Sequence, residues 1–217
     1  MTRPDPHPLL HERTEVGAAR LAARHEGRFS IETVQALIDD SHQRLAATAR
    51  ITAHLNVLAE RLSAERLDAL ASSREPIGMR PARVLFVCGH NSGRSQLAAA
   101  LLAHRFAGPI TISSAGTTPA AELDPRLAEV LTEVGADLGD AYPKPLTTEV
   151  VGAADIVVTL GCGDACPVVP GRHYLDWPVA DPHASDLAGW RRVRDVIDTH
   201  ITELLTLLAM PAVPETK

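Results

Sequence analysis

The residues best suited by type and spacing to do chemistry lie in "VLFVCGHNSGRSQ", residues 84–96. A β-branched, apolar run ends in Cys88; five small or polar residues follow, then Arg94 and Ser95 at the start of a helix-forming stretch. Five residues between Cys88 and Arg94 allow the backbone one curl, so that the N–H groups of Gly89, His90, Asn91, Ser92, Gly93, Arg94 and Ser95 converge on a tetrahedral oxyanion. The Arg94 guanidinium would then grip two of its oxygens. Gly89 and Gly93 permit close backbone approach, and Asn91 tolerates the left-handed conformation such a curl demands. The helix from Ser95 aims its positive end into the same ring. Dipole, amides and Arg94 together are expected to lower the Cys88 thiol from its free value of about 8.5, with Ser95 donating one more hydrogen bond to the sulfur. The opposing reading makes Cys88 a small buried hydrophobe and Arg94 a surface residue; the strand, glycine-bearing loop, Arg-Ser pair and helix start all favour the nucleophile.

Three further groups carry potential chemistry. Asp181, in "WPVADPHASDL", is either a proton donor stiffened by Pro182 or a turn aspartate, with Asp176 and Asp186 as competitors. Cys162 and Cys166, in "VVTLGCGDACPVVPG", are either a redox pair, two zinc ligands with His173 and His183 as partners, or unrelated structural cysteines. Cys-x3-Cys is not a common zinc spacing and no fourth ligand is evident, so no metal is expected. His90 reads as a rim residue rather than a base, and Trp177 and Trp190 as packing residues. Asn91 could simply brace the loop, and Lys144 reads equally well as a solvated charge or as part of a segment near the pocket.

The elements that must hold these groups change character along the chain. Residues 1–8 contain three prolines. From Leu9 to about Ser73 only helical periodicity is visible: an Ala-rich helix over about 11–26, a stripe of Ile31, Val34, Leu37, Ile38 and Leu45 behind a Ser30 cap, and a second stripe of Ile51, Leu55, Leu58 and Leu62. "SSREPIGMRPAR", residues 72–83, interrupts the pattern with two prolines and a glycine. Strands are then expected at Val84–Val87, at "ITISSAG", at 154–161 and, briefly, in "HYLDWP". Helices are expected at Ser95–Phe106, 124–135 and Asp186–Leu208. The fold class is therefore α/β, a four-stranded parallel sheet with helices on both faces, preceded by a small three-helix bundle. The division runs 1–75 for the helical module, 76–82 for a linker and 83–217 for the catalytic domain.

The totals bound what the chain can be. At 217 residues and 45% apolar content it can bury a proper core. No apolar run reaches membrane-spanning length and no secretory leader is visible, so a cytoplasmic location is expected, with three free thiols rather than a disulfide framework. A net charge of −6 and 3% aromatics argue against nucleic-acid binding.

The loop "VLFVCGHNSGRSQ" resembles the phosphate-binding loop of the low-molecular-weight tyrosine phosphatase family and, within it, of the arsenate reductases that share the fold. Cys88, Asn91, Arg94 and Ser95 match that loop, "SSAGT" at 113–117 and "DP" at 181–182 match later segments, and the likeness spans about 83–208. Asp181 lies 93 residues after Cys88, which is the order of this family, and the resemblance makes it the general acid. The resemblance also separates two activities. A phosphatase hydrolyses its thiol-linked intermediate with water and has no use for Cys162 and Cys166. A reductase needs a thiol to attack the Cys88–arsenic adduct, form a disulfide and release arsenite. Cys162 is the implied attacker; a helical turn would bring Cys166 within about 6 Å to take over the disulfide. His183 and Ala184 after "DP", where family phosphatases carry a tyrosine, point to a small inorganic oxyanion. The shorter Gly-Cys-Gly-Asp-Ala-Cys-Pro form looks like that of actinobacterial reductases, for which thioredoxin, or mycothiol with mycoredoxin, is the external reductant; no bound cofactor is implied. The N-terminal helices resemble a three-helix extension of some of these enzymes, with self-association into a homo-oligomer, reductant docking and stabilisation as open roles. The leading expectation is arsenate reduction. The alternatives are a phosphotyrosine phosphatase and a non-catalytic arsenic-binding or redox-sensing module.

Overall fold

The computed structural model describes residues 8–49, 54–76, 78–162, 166–183 and 185–209. The chain divides into two compact units, Met1–Ser72 and Ser73–Lys217.

The first unit holds three helices: α1 (Pro8–Arg24), α2 (Ile31–Ala46) and α3 (Leu55–Ser72). Pro8 opens α1, where the missing N–H costs nothing. Positive φ at Glu26 (51°) and Gly27 (74°) follows α1 and turns the chain toward α2. Ser30 caps α2 as expected, its Oγ accepting the Thr33 N–H at 3.3 Å. Ala18, Leu21, Phe29, Val34, Ile38, Leu67 and Ala71 form the core. Ile31 departs from its stripe: it is 49% exposed and lines a groove between α1 and α2. Ile51 lies outside the described residues. A buried polar knot joins α2 to α3, where Arg66 Nη1 donates to Asp40 and, at 2.9 Å, to Ser41 Oγ. Pairing of this kind is what makes a buried guanidinium tolerable.

The second unit contains β1 (Ala82–Cys88), α4 (Arg94–Arg105), β2 (Ile110–Gly116), α5 (Arg126–Thr132), α6 (Thr148–Ala153), β3 (Ile156–Thr159), β4 (His173–Asp176) and α7 (Leu187–Ala209). The four strands are parallel in the order β2-β1-β3-β4. Period-2 alternation places Val84, Phe86 and Cys88 in one core with Leu97, Leu101, Val130, Trp190 and Ile197 from α4, α5 and α7. Leu85, Val87 and Val157, also buried, face the other way, toward the side where α6 packs. Helix α6 was not legible in the sequence. "TEVVGA" is six residues long and its Thr147 cap makes no side-chain bond, so it carries too little periodicity to announce itself. Register sets the ends together: Cys88 pairs with Gly116, Val87 with Thr159 and Thr159 with Asp176. The carboxyl ends of all four strands thus meet at one edge, where open parallel sheets bind ligands.

Candidate active site

Cys88 closes β1 and is 2% exposed. The loop behind it is shaped from outside. The carbonyls of Cys88, Gly89, His90 and Ser92 accept N–H bonds from Thr117 (3.1 Å), Thr118 (2.8 Å), Ala120 (2.9 Å) and Asp124 (2.9 Å) respectively. Asn91 O accepts from Gln96 Nε2 at 3.2 Å. In a trans peptide plane the N–H points opposite to the carbonyl. With five successive carbonyls turned outward, the N–H groups of residues 89–93 turn inward. Asn91 N–H accordingly reaches Cys88 Sγ at 3.2 Å. This requires the left-handed conformation at Asn91, φ 48°.

The "SSAGT" match gains a physical reason at Gly116. A Cβ there would lie 2.9 Å from Asn91 Cβ, Asn91 N and Gly89 O, so only glycine lets the end of β2 sit against the loop.

Asn91 is a brace and an orienter at once. Its Oδ1 accepts from Gln96 Nε2 (3.0 Å) and from the Lys144 N–H (2.9 Å), which fixes which end of the amide is which. Its Nδ2 therefore donates to Ser95 Oγ at 2.8 Å, leaving the Ser95 hydroxyl hydrogen for Cys88 Sγ at 3.0 Å. Lys144 thus enters through its backbone, while its ammonium lies over the Tyr142 ring.

Arg94, 8% exposed in the first turn of α4, donates from Nη1 to Val179 O and from Nη2 to Asp181 Oδ2, both at 2.9 Å. Cys88, Arg94 and Asp181 share a small pocket with His90, Ser92, Gly93, Asp124, His183 and Trp190. His90 is an exposed rim residue, as the sequence suggested. Trp177 is core, stacked on His200 at 5.0 Å. Trp190 is both core and wall: 1% exposed, it meets the pocket beside Gly93, where a Cβ would come within 3.0 Å of its ring.

All three cysteines are free thiols. Cys162 follows β3, and its Sγ lies 3.8 Å from Val87 O, on the strand that ends in Cys88. A hydrogen bond from Cys166 is the main reason the Cys162 thiol is lowered to about 7; backbone donors assist, while burial and the Asp176 charge oppose. Cys166 is pushed upward, first by donating to Cys162, then by burial and by the Cys162 charge. Cys166 is itself buried, at 8% exposure. The helical turn expected between the two falls on residues 163–165, outside the described residues, as does Ala184. His183 does not join the cysteines; its Nδ1 lies 3.9 Å from Asp124. Among the described residues no three His, Cys, Asp or Glu side chains form a group that could hold a metal.

Gly161, which the sequence reading passed over, has φ +68°, and a Cβ on it would lie 2.5 Å from Arg94 Nη1. The residue before Cys162 must be bare for the arginine to reach its place.

Residues 83–212 match the low molecular weight phosphotyrosine protein phosphatase family, and 15–71 match the protein-tyrosine-phosphatase-like N-terminal domain. The chain belongs to the low molecular weight phosphotyrosine protein phosphatase family. Within it, the chain resembles a thioredoxin-dependent arsenate reductase of Corynebacterium glutamicum over both units. The identity is 41% and the TM-score 0.81, covering 93% of this chain and 98% of that one. It is 30% identical over 124 residues to a putative arsenate reductase of Halobacterium salinarum, covering 55% of this chain and 87% of that protein. An arginine phosphatase from Geobacillus stearothermophilus shares the fold at TM-score 0.52 and 27% identity, covering 59% of this chain and 93% of that one. No helix among the described residues is long and apolar enough to cross a membrane.

Proposed function

We propose that this protein reduces arsenate to arsenite, with thioredoxin restoring its thiols. The observation that carries the reading is a second and third free thiol, Cys162 and Cys166, on the strand edge that also bears Cys88 and its ring of donors, with Cys162 Sγ 3.8 Å from Val87 O. Hydrolysis of a phosphoryl intermediate has no need of that pair; a two-electron reduction does. The resemblance to a thioredoxin-dependent reductase across both units supports the same choice and the same reductant.

The chemistry balances as follows. The Cys88 thiolate attacks arsenic(V), held by the inward amides and Arg94; one arsenate oxygen leaves as water, taking its last proton from Asp181. The Cys162 thiolate then attacks Cys88 Sγ. A Cys88–Cys162 disulfide forms, and the sulfur–arsenic bonding pair stays on arsenic, which departs as arsenic(III). Cys166 attacks the Cys162 sulfur, a Cys162–Cys166 disulfide replaces the first, and Cys88 leaves as thiolate. A thioredoxin dithiol reduces that disulfide and is oxidised in turn.

Electrostatics sets the order. While Cys162 is an anion, its hydrogen bond and charge keep the proton on Cys166. Once Cys162 is tied up in a neutral disulfide both influences vanish, burial alone still opposes ionisation, and Cys166 gives up its proton more readily than before.

The test is turnover of arsenate with thioredoxin, its reductase and NADPH. Sustained NADPH consumption that requires arsenate supports the reading; none, with rapid hydrolysis of aryl phosphate or phosphoarginine, replaces it with a phosphatase. If mycothiol and mycoredoxin sustain turnover where thioredoxin does not, the reductant alone is revised. Cys166→Ser is expected to stop after one arsenite per chain with Cys88 and Cys162 linked; peptide mapping that finds Cys162 reduced at that point refutes the relay.

A further inference from the structure

Asp124 and Arg126 take no part in the chemistry above, yet they connect the oxyanion loop to the segment that carries the acid. Asp124 is 8% exposed and lines the pocket. Its own N–H donates to Ser92 O at 2.9 Å, which fastens it to the back of the oxyanion loop. Its carboxylate takes a forked pair of bonds from Arg126, Nε to Oδ1 at 2.8 Å and Nη2 to Oδ2 at 2.7 Å, and Oδ1 also accepts the Arg126 N–H at 3.0 Å. One end of α5 is thereby locked to residue 124 in a single geometry, as a two-pronged guanidinium–carboxylate pair allows and a lysine would not.

The rest of the same guanidinium reaches across 57 to 59 residues of sequence. Nη2 donates to His183 O at 3.0 Å and Nη1 donates to Ser185 O, while the guanidinium carbon sits 5.4 Å over the Trp190 ring. His183 is the residue whose N–H donates to Asp181 Oδ1 at 3.0 Å. The backbone next to the acid is therefore held from both sides: its N–H by the acid itself, its carbonyl by Arg126. Pro182 between them fixes φ and leaves little slack.

We propose that Asp124 and Arg126 are positioning residues that hold the Asp181 carboxyl at its working distance from the oxyanion loop, so that proton delivery to the leaving oxygen depends on a pair that does not itself transfer the proton. The proposal rests on the reading of Asp181 as the general acid. Arg126 owes its place to that task rather than to packing: its fork spends bonds on two loop carbonyls, and its side chain is 31% exposed.

The test is a double-mutant cycle on the full chain with Arg126→Met, Asp181→Asn and the double variant, read by thioredoxin-coupled arsenate reduction or, if arsenate is not turned over, by aryl phosphate hydrolysis. Arg126→Met keeps an apolar stem over Trp190 and removes the fork. Its kcat is expected to fall on the order of 10- to 100-fold, the scale of a misplaced catalytic group, without a rise in KM. In the Asp181→Asn background the same substitution is expected to change kcat by less than about twofold, because a residue acting only through another loses its effect when that other is gone. Hydrogen exchange supplies a readout independent of turnover: amides of 181–186 exchange faster in Arg126→Met while the sheet stays protected.

An Arg126→Met enzyme with unchanged kcat overturns the proposal, as does a loss of equal size in both backgrounds, which would mark a general structural role. Exchange at 181–186 that matches the parent protein also overturns it. Asp181→Asn with full activity instead refutes the acid reading, a different failure, which the exchange experiment separates from the clamp itself. Arg126→Lys, which keeps the charge without the fork, is expected to behave like Arg126→Met; full activity in it argues against the clamp.

Discussion

Two thiols of the same chemical type, four positions apart, are made unequal by their neighbours. Cys162 has the Cys166 S–H and backbone donors, and its thiol is lowered to about 7; Cys166 is buried and pays for its neighbour's charge. The fraction of Cys162 present as thiolate therefore grows as pH rises through about 7 and is nearly lost a unit or two below it. In a Cys88→Ser background, carboxamidomethylation of Cys162 is expected to follow that midpoint. Cys166→Ala, which removes the donor, is expected to move the midpoint upward; an unmoved midpoint would mean that the backbone donors suffice. Gly161 sets a steric condition beside it. Gly161→Ala adds a Cβ 2.5 Å from Arg94 Nη1 at φ +68°, a left-handed strain of about 1–3 kcal/mol on top of the collision. Weaker phosphate binding is the expected result, measured by calorimetry together with a thermal melt that separates lost binding from lost fold. Cys88, Arg94, Ser95 and Asn91 were legible in the sequence because one contiguous curl of chain defines their geometry. Gly161 was not, because its constraint comes from a side chain 67 residues earlier.

At the level of elements, the oxyanion ring is a product of two segments. The loop after β1 supplies the amides, and the stretch after β2 decides which way they face by claiming the carbonyls of Cys88, Gly89, His90 and Ser92. Gly116→Ala places a methyl 2.9 Å from backbone atoms of that loop, which cannot yield as a side-chain tip can. It is expected to abolish arsenate reduction, and protection of Cys88 by phosphate against iodoacetamide, while the helices persist by circular dichroism; retained protection would show that the loop tolerates displacement. The strands were readable from β-branched runs and from period 2, and three helices of the second unit from apolar spacing. The donors that hold the loop carbonyls outward were not readable, because a backbone N–H has no sequence signature. For the same reason "DPR" at 124–126 passed as an ordinary helix start, although Arg126 reaches the carbonyls of His183 and Ser185.

At the level of the whole molecule, every residue assigned to chemistry lies in Ser73–Lys217, whereas Met1–Ser72 contributes its own core and its own buried Arg66 knot. A chain beginning at residue 73 is expected to release its first arsenite at the parent rate in a rapid-quench experiment without external reductant. A slower first turnover would assign the helices a part in catalysis. The carboxylate beside Arg94 is expected to govern which anions the site accepts. The Arg94 guanidinium is engaged by Asp181 Oδ2 and Val179 O. A visiting anion must therefore evict an internal rival, and affinity is set by a margin between two claimants. Halides, with a single centre and no geometry to match the fork, are expected to lose that contest, and a tetrahedral ion with several oxygens to win it. Neutralising the rival with Asp181→Asn should let inorganic phosphate occupy the site more tightly even as turnover collapses, so that selectivity and rate are governed by one carboxylate pulling in opposite directions.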